Sequence, residues 1–299
     1  MSRTVVPITP PRPSSLLSPT AYWNRQGADR WRRNAHHLEA ALAPFSKDII
    51  GHLGPDPDAR IVDIGCGTGD LTVELSRFLP KGQAIGLDIS LPLLEVALSR
   101  PEARTSLSVG FASGDAGRWQ PDKKFDGAVS RFGVMFFEDP VASFGNIRNM
   151  LKPGGKLVFA SWAGMAENEW VMAPFRAMLD YIGSGQPSEP PLPPADAPGP
   201  FSLASAERTR SILARSGWTQ IELHPWIGHL AFEFMRSLDD LVDFMIGIGG
   251  VARLLEAGMV DAPEARHVLT KFLAPIWEDG TATTWRAQAW IVTAIAPEA

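Results

Sequence analysis

The chain has 299 residues, enough for one large domain or a domain with a sizeable insertion. Its composition, 45% hydrophobic and 20% charged, is that of a globular protein with a real core. A formal net charge of −5 argues against a nucleic-acid backbone as the main partner, and the single cysteine, Cys66, excludes an intrachain disulfide or a cysteine-cluster metal site. No metal is expected, and one thiol fits a reducing, cytoplasmic setting. No stretch approaches the ~18 apolar residues of a membrane span. Residues 1–20, rich in proline and serine, lack the continuous apolar run of a secretory signal and are expected to form a flexible tail.

Residues 33–53 carry Leu38, Leu42, Phe45 and Ile49 at helical spacing, with Pro44 expected to kink or divide the helix. Together, residues 21–59 form a helical entry segment. From residue 60 the period switches repeatedly between strand and helix. Strands are expected at 60–64, 83–87, 107–111, 125–130 and 156–161, and helices after the first, second and fourth of them. Leu71, Leu75 and Phe78 mark the first helix, residues 91–98 the second, and residues 140–150 the third, which stops at Pro153-Gly154-Gly155. This alternation, over residues 60–162, predicts an α/β fold with a doubly wound, Rossmann-like, mostly parallel sheet. After Trp162 the regularity fails. Residues 184–200 are proline-rich and predict a loop, 204–216 a helix, 219–232 a long strand, 237–278 mainly helix and 285–295 a final strand. Within 163–299, the two long strands are expected to complete the sheet and the rest to form a partly helical lid.

Asp63-Ile64-Gly65-Cys66-Gly67-Thr68-Gly69 lies between a predicted strand and a predicted helix, where glycine allows a sharp turn and close approach of a ligand. The following residue is Asp70, where a dinucleotide fingerprint has glycine or alanine. Carboxylates at 63 and 70 suit S-adenosylmethionine, which carries a sulfonium and an ammonium and no phosphate, better than a pyrophosphate. Asp88 ends the second strand, where an acid can accept both ribose hydroxyls. Asp115 in Gly114-Asp115-Ala116 follows the third strand, in reach of an adenine amine, with the Ala116 backbone as donor; a simple turn aspartate is the alternative. Ser130-Arg131-Phe132-Gly133 follows the fourth. In an open α/β sheet the carboxyl ends of successive strands converge on one crevice, so these four segments are expected to share a ligand.

DIGCGTG, GLDIS, GDA and LKPGGKLVFASW, in that order, resemble class I S-adenosylmethionine-dependent methyltransferases, in particular the ubiquinone/menaquinone-biosynthesis type, an extended group of small-molecule enzymes. The resemblance is specific over residues 60–162 and looser on either side. It implies a seven-stranded sheet with an antiparallel last strand and S-adenosyl-L-methionine across the ends of strands one to four. On the matching positions it implies that Asp63, Gly65, Cys66 and Gly67 shape the methionine end, Asp88 holds the ribose, and Ile89 packs on adenine. Asp115 and Ala116 would read the adenine edge, and Arg131 would touch the cofactor through its backbone. Tyr22-Trp23-Asn24 and Trp31 resemble an aromatic entry segment that closes over the cofactor, with Tyr22 and Trp31 as contacts. The substrate does not carry over, because 184–200 and 237–278 match no substrate-defining pattern.

Methyl transfer from a sulfonium requires alignment and exclusion of water more than a nucleophilic side chain. A general base would help a hydroxyl or acidic-carbon acceptor, and His36, His37, His224 and His229 are candidates, all outside the glycine-loop core. His224 and His229, on or near the predicted sixth strand, could face the substrate, although a lone histidine is more often structural. The ten tryptophans suit an aromatic or lipophilic acceptor. The expected activity is transfer of a methyl group (EC 2.1.1.-) to a small molecule. The alternatives are an RNA or protein methyltransferase, for which no basic stripe is visible, or a non-catalytic S-adenosylmethionine-binding module. Oligomeric state is not legible.

Overall fold

The computed structural model describes residues 18–183, 197–232, 235, 237–277 and 284–298. Most of the expected tail and most of the proline-rich 184–200 segment lie outside them. Seven strands form one sheet: β1 (Arg60–Ile64), β2 (Gln83–Asp88), β3 (Val109–Ser113), β4 (Phe125–Arg131), β5 (Leu151–Trp162), β6 (Thr219–Ala231) and β7 (Thr284–Ile295). Their order is β3-β2-β1-β4-β5-β7-β6. β1 to β5 pair in parallel, and β7 runs antiparallel between β5 and β6. The doubly wound sheet and its antiparallel last strand are as expected.

Helices cover both faces. α1 (Pro19–Trp23) and α2 (Gln26–Leu53) precede the sheet, and α3 (Asp70–Ser76), α4 (Leu91–Ser99), α5 (Pro101–Thr105) and α6 (Pro140–Met150) alternate with its strands. α7 (Glu169–Ile182), α8 (Ala206–Arg215), α9 (Leu238–Ile246), α10 (Gly249–Glu256) and α11 (Ala262–Leu273) belong to the second half. The buried residues form one continuous hydrophobic cluster running from Ala41 on α2 to Ala296, so the helical insertions share the sheet's core.

Several boundaries differ from the sequence expectation. Residues 19–23 are helical, held by Ser18, whose hydroxyl accepts from Ala21 N. α2 starts seven residues early and runs unbroken through Pro44. A proline removes one helical hydrogen bond, but Phe45 and Ile49 just beyond it are fully buried against the sheet and hold the axis together. Phe78 lies past α3 and is 51% exposed, and β3 starts at Val109, leaving Leu107 in solvent. β5 begins at Leu151 because the Pro153-Gly154-Gly155 turn is absorbed into the strand across a register shift against β4.

The strand ends are stitched together. Gly65 N and Cys66 N both donate to Leu87 O, at 2.8 and 3.2 Å, tying the glycine loop to the end of β2. Gly114 N donates to Asp88 O at 2.9 Å, and Phe132 N to Ala160 O at 3.1 Å. Ser130 Oγ donates to Ile64 O at 2.7 Å, joining β4 to β1. Gly65 has φ 68°, and a Cβ there would lie 2.9 Å from Gly133 Cα. Gly51, inside α2, has no atom within 4 Å of the same position.

Gly65→Ala is therefore expected to lower stability by at least about 2 kcal/mol, from the left-handed backbone and the backbone clash together. Gly51→Ala should raise it by roughly 0.5–1 kcal/mol through helix propensity. Urea unfolding of both variants tests the pair.

Candidate functional site

A cavity of about 480 Å³ opens at the carboxyl ends of β1 to β4. It lies within the range of roughly 300–1,000 Å³ usual for small-molecule sites. Of the residues singled out from sequence, Trp31, Gly65, Gly67, Asp88, Ile89, Asp115, Ala116 and Arg131 line it. Gly114, Phe132, Gly133, Phe136, Ala142 and Ser143 join them. Strand order lays the acidic residues out in a row, with Asp115 at the β3 end, Asp88 at β2 and the glycine loop at β1.

Asp88 is 8% exposed, accepting Gly67 N on Oδ2 at 2.7 Å and Ser90 N on Oδ1 at 2.8 Å. Burial raises its pKa, against these hydrogen bonds to the charged form. Two backbone bonds leave a carboxylate with lone pairs to spare, so Asp88 can fix the glycine loop and accept ligand hydroxyls. Ser90 does not cap α4 through its side chain; its hydroxyl donates to Trp23 O at 2.6 Å. Asp115 does make the turn considered as its alternative role, accepting Gly117 N on Oδ1 at 2.8 Å, while still facing the cavity.

Asp63, near the end of β1, and Cys66, within the glycine loop, are buried and do not line the cavity. Asp63 Oδ2 accepts Thr72 Oγ1 at 2.7 Å, whereas Oδ1 is buried with no hydrogen-bond partner. Desolvation pushes its pKa up to about 7, only partly offset by Thr72 and Arg131. Cys66 is buried and its thiol is likewise pushed up by burial, so it is no nucleophile.

Arg131 turns its guanidinium away from a backbone-only role: Nη1 donates to Ser46 Oγ at 2.6 Å and to Asp70 Oδ2 at 2.8 Å. Asp70 is thereby compensated, which weakens the expectation that its charge repels a pyrophosphate. The acids lining the cavity outnumber the bases: Asp88, Asp115, Glu138 and Asp139 line it, against Arg131, paired with Asp70, and the exposed Arg118, 3.9 Å from Asp115. An adenosyl group bearing positive charge and no phosphate fits this donor and acceptor set.

The cover comes from the N-terminal helices. Trp23, rather than Tyr22, lines the cavity, meeting Phe136 edge-on at 5.0 Å and Trp31 at 6.2 Å. Tyr22 packs over Gly27 instead, where a Cβ would lie 2.6 Å from its ring. Asn24 pins this segment, donating to Ile89 O and accepting Leu91 N, each at 3.0 Å. Thr68 in the glycine loop donates to Glu39 of α2 at 2.7 Å, and Arg100 pairs with the same Glu39. No described residue of 163–183 or 237–277 lines the cavity, so the expected helical lid does not cover it; α9 packs on α11 instead.

None of the candidate histidines lines the cavity. His224 stands 4.8 Å from the His52 ring and 3.3 Å from Glu222, on the outer strand β6. Sequence reasoning placed the Ser130–Gly133 segment at the site but missed Phe136 and Ser143 as lining residues. Phe136 lies in the turn after β4 and Ser143 on the first turns of α6, and no local pattern announces that both fold back over the strand ends.

Residues 61–155 match the methyltransferase-domain family. A demethylmenaquinone methyltransferase of Thermus thermophilus is 37% identical over 134 residues, 44% of this chain and 54% of that protein. A malonyl-[acyl-carrier protein] O-methyltransferase of Paenibacillus is 28% identical over 47% of this chain and 52% of that protein. The chain thus spans about half the length of these relatives. Among solved structures, a Haemonchus contortus phosphoethanolamine N-methyltransferase 2, bound to S-adenosylhomocysteine, superposes with a TM-score of 0.56 at 18% identity, covering 95% of this chain and 61% of that one. A Bacillus halodurans methyltransferase structure gives 0.53 at 17%, covering 84% and 98%. Residues 61–155 are thus similar in sequence to a methyltransferase domain, and the sheet that holds them shares its fold with these methyltransferase structures.

Proposed function

We propose that the chain transfers a methyl group from S-adenosyl-L-methionine to a small aromatic or lipophilic molecule (EC 2.1.1.-). The observation that carries this reading is convergence: the loops at 65–67, 88–89, 115–116 and 131 line one cavity of about 480 Å³. When bound, the cofactor supplies an electrophilic methyl on a good leaving group. Asp88 would accept the ribose hydroxyls, and Ile89 would cover one adenine face. Asp115 and Ala116 would read the adenine edge, while Gly65 and Gly67 let the methionine end approach the backbone. Asp63, with its unpartnered Oδ1, places latent negative charge beneath that end. Trp23 and Trp31 exclude water, and their cover favours a small acceptor over an RNA or protein chain. Among the described residues, no histidine, cysteine and carboxylate cluster is set to hold a metal, and no helix is long and apolar enough to cross a membrane. We place the reaction in the cytoplasm, in keeping with the single free thiol.

Asp88→Ala should weaken S-adenosylmethionine binding by about 1.5–3 kcal/mol, the loss of charge-assisted hydrogen bonds. Calorimetry showing unchanged affinity would put the ribose elsewhere.

Asp63 sets a pH dependence. Its folded-state pKa of about 7 lies above the unfolded value near 4, so the ligand-free fold retains a proton that the unfolded chain has lost. Ligand-free stability should fall as pH rises from about 4 to 7. A cationic ligand favours the carboxylate, so affinity should rise between pH 6 and 7.5. Asp63→Asn should flatten both trends; titrations that keep the wild-type slope in this variant would overturn the assignment.

A further inference from the structure

We propose that Glu39 and Arg100 are positioning residues that clamp Thr68, set the glycine loop in its ligand-binding conformation, and so make the docking of α2 and the readiness of the cofactor site one event. The inference rests on the cofactor reading above and goes beyond it by assigning cofactor affinity to side chains that do not line the cavity.

The loop needs a restraint from outside. Thr68 stands between Gly67, φ 56°, and Gly69, φ 84°, and glycine takes either sign of φ at little cost. The peptide units on both sides of Thr68 are therefore not fixed by their own geometry. The amide that has to be aimed is Gly67 N, which donates to Asp88 Oδ2 at 2.7 Å. Thr68 is 2% exposed, and its hydroxyl and its carbonyl are both held. The hydroxyl donates to Glu39 Oε1 at 2.7 Å, and the carbonyl accepts Arg100 Nε at 2.5 Å. Arg100 Nη2 donates to the same Glu39 Oε1, which closes the ring of contacts.

The clamp residues come from elements far apart in the chain. Glu39 lies about two turns along α2 from Trp31. The Trp31 indole nitrogen comes within 3.7 Å of the place a Gly67 Cβ would take. α2 therefore grips successive loop residues, with Trp31 over Gly67 and Glu39 on Thr68. Arg100 sits between α4 and α5, where the following Pro101 keeps its backbone extended, φ −62° and ψ 140°. The Arg100 and Glu39 side chains are 22% and 21% exposed, so water screens their pairing less than that of a surface ion pair. The Arg30–Glu256 pair, at 2.8 Å, ties the same helix to α10 and does not involve the loop.

The test uses the full chain and two readouts: S-adenosylhomocysteine affinity by calorimetry, and hydrogen–deuterium exchange of residues 65–70 without ligand. Glu39→Ala should weaken binding roughly five- to twentyfold and speed loop exchange at least about fivefold, while exchange in β5 keeps the wild-type rate. Thr68→Val, which removes the hydroxyl alone, should move both readouts the same way. Adding it to Glu39→Ala should cost no more than about a further twofold in affinity, as for residues acting through one contact. Glu39→Gln, whose amide oxygen still accepts the hydroxyl, should stay within about threefold of wild type. Arg30→Gln, which breaks the other α2 pair, should leave affinity and loop exchange within about twofold of wild type. Wild-type affinity and loop exchange in Glu39→Ala would overturn the proposal. So would equal losses in Arg30→Gln and Glu39→Ala, which would reduce Glu39 to a prop for helix docking. If Glu39→Ala does not fold, Thr68→Val carries the test alone, and wild-type behaviour there would overturn the proposal equally. Failure of wild type to bind S-adenosylhomocysteine would instead sink the cofactor reading, while the exchange comparison reads the clamp without ligand.

Discussion

The site depends on how closely two loops approach. Gly65, at the end of β1, and Gly133, just past β4, meet backbone to backbone, with no room for a Cβ on the first. That contact lets the glycine loop and the loop after β4 wall one space rather than two. The hydrogen bonds across the strand ends hold it: Ser130 Oγ to Ile64 O on one side, and the Gly65 and Cys66 amides to Leu87 O on the other. Asp88 completes the arrangement by accepting Gly67 N, so the acid that would meet the ribose also fixes the loop that would meet the methionine end.

α2 acts as a brace over this arrangement. Its 28 residues carry Trp31 at the cavity, Glu39 on Thr68, Ser46 on Arg131, and Phe45 and Ile49 in the core. One helix therefore couples the cavity wall, the glycine loop and the β4 loop to the same buried face. Asn24 and Ser90 extend the brace to α1 and the start of α4. Closing the cavity is thus a property of the N-terminal helices, while the helices after β5 enlarge the core.

The charge balance follows from the same geometry. Asp63 is buried so deeply that its carboxyl rises to about 7, and Asp70 is neutralised by Arg131. The acids that line the cavity are Asp88, the pair at 138–139, and Asp115, which stands 3.9 Å from the exposed Arg118. A net −5 chain could place its acids anywhere; here several face one crevice at the sheet's carboxyl edge, which favours a cationic nucleoside.

The sequence by itself determined the parallel core, the glycine turn and the acids at successive strand ends. Those features follow from local periodicity, from the conformational freedom of Gly65 and Gly67, and from the rule that strand termini gather at one edge. It also marked the two late strands, whose apolar length shows without knowledge of partners. Tertiary structure alone decided the continuity of α2 through Pro44, since burial of Phe45 and Ile49 outweighs one missing hydrogen bond. It chose Trp23 over Tyr22 as the cavity wall, because only docking sets which face of a short helix turns inward. It moved the cover from the late helices to the early ones, and it held Phe132 in a strained backbone against Trp162. Each of these depends on contacts between residues far apart in the chain, which local spacing does not encode.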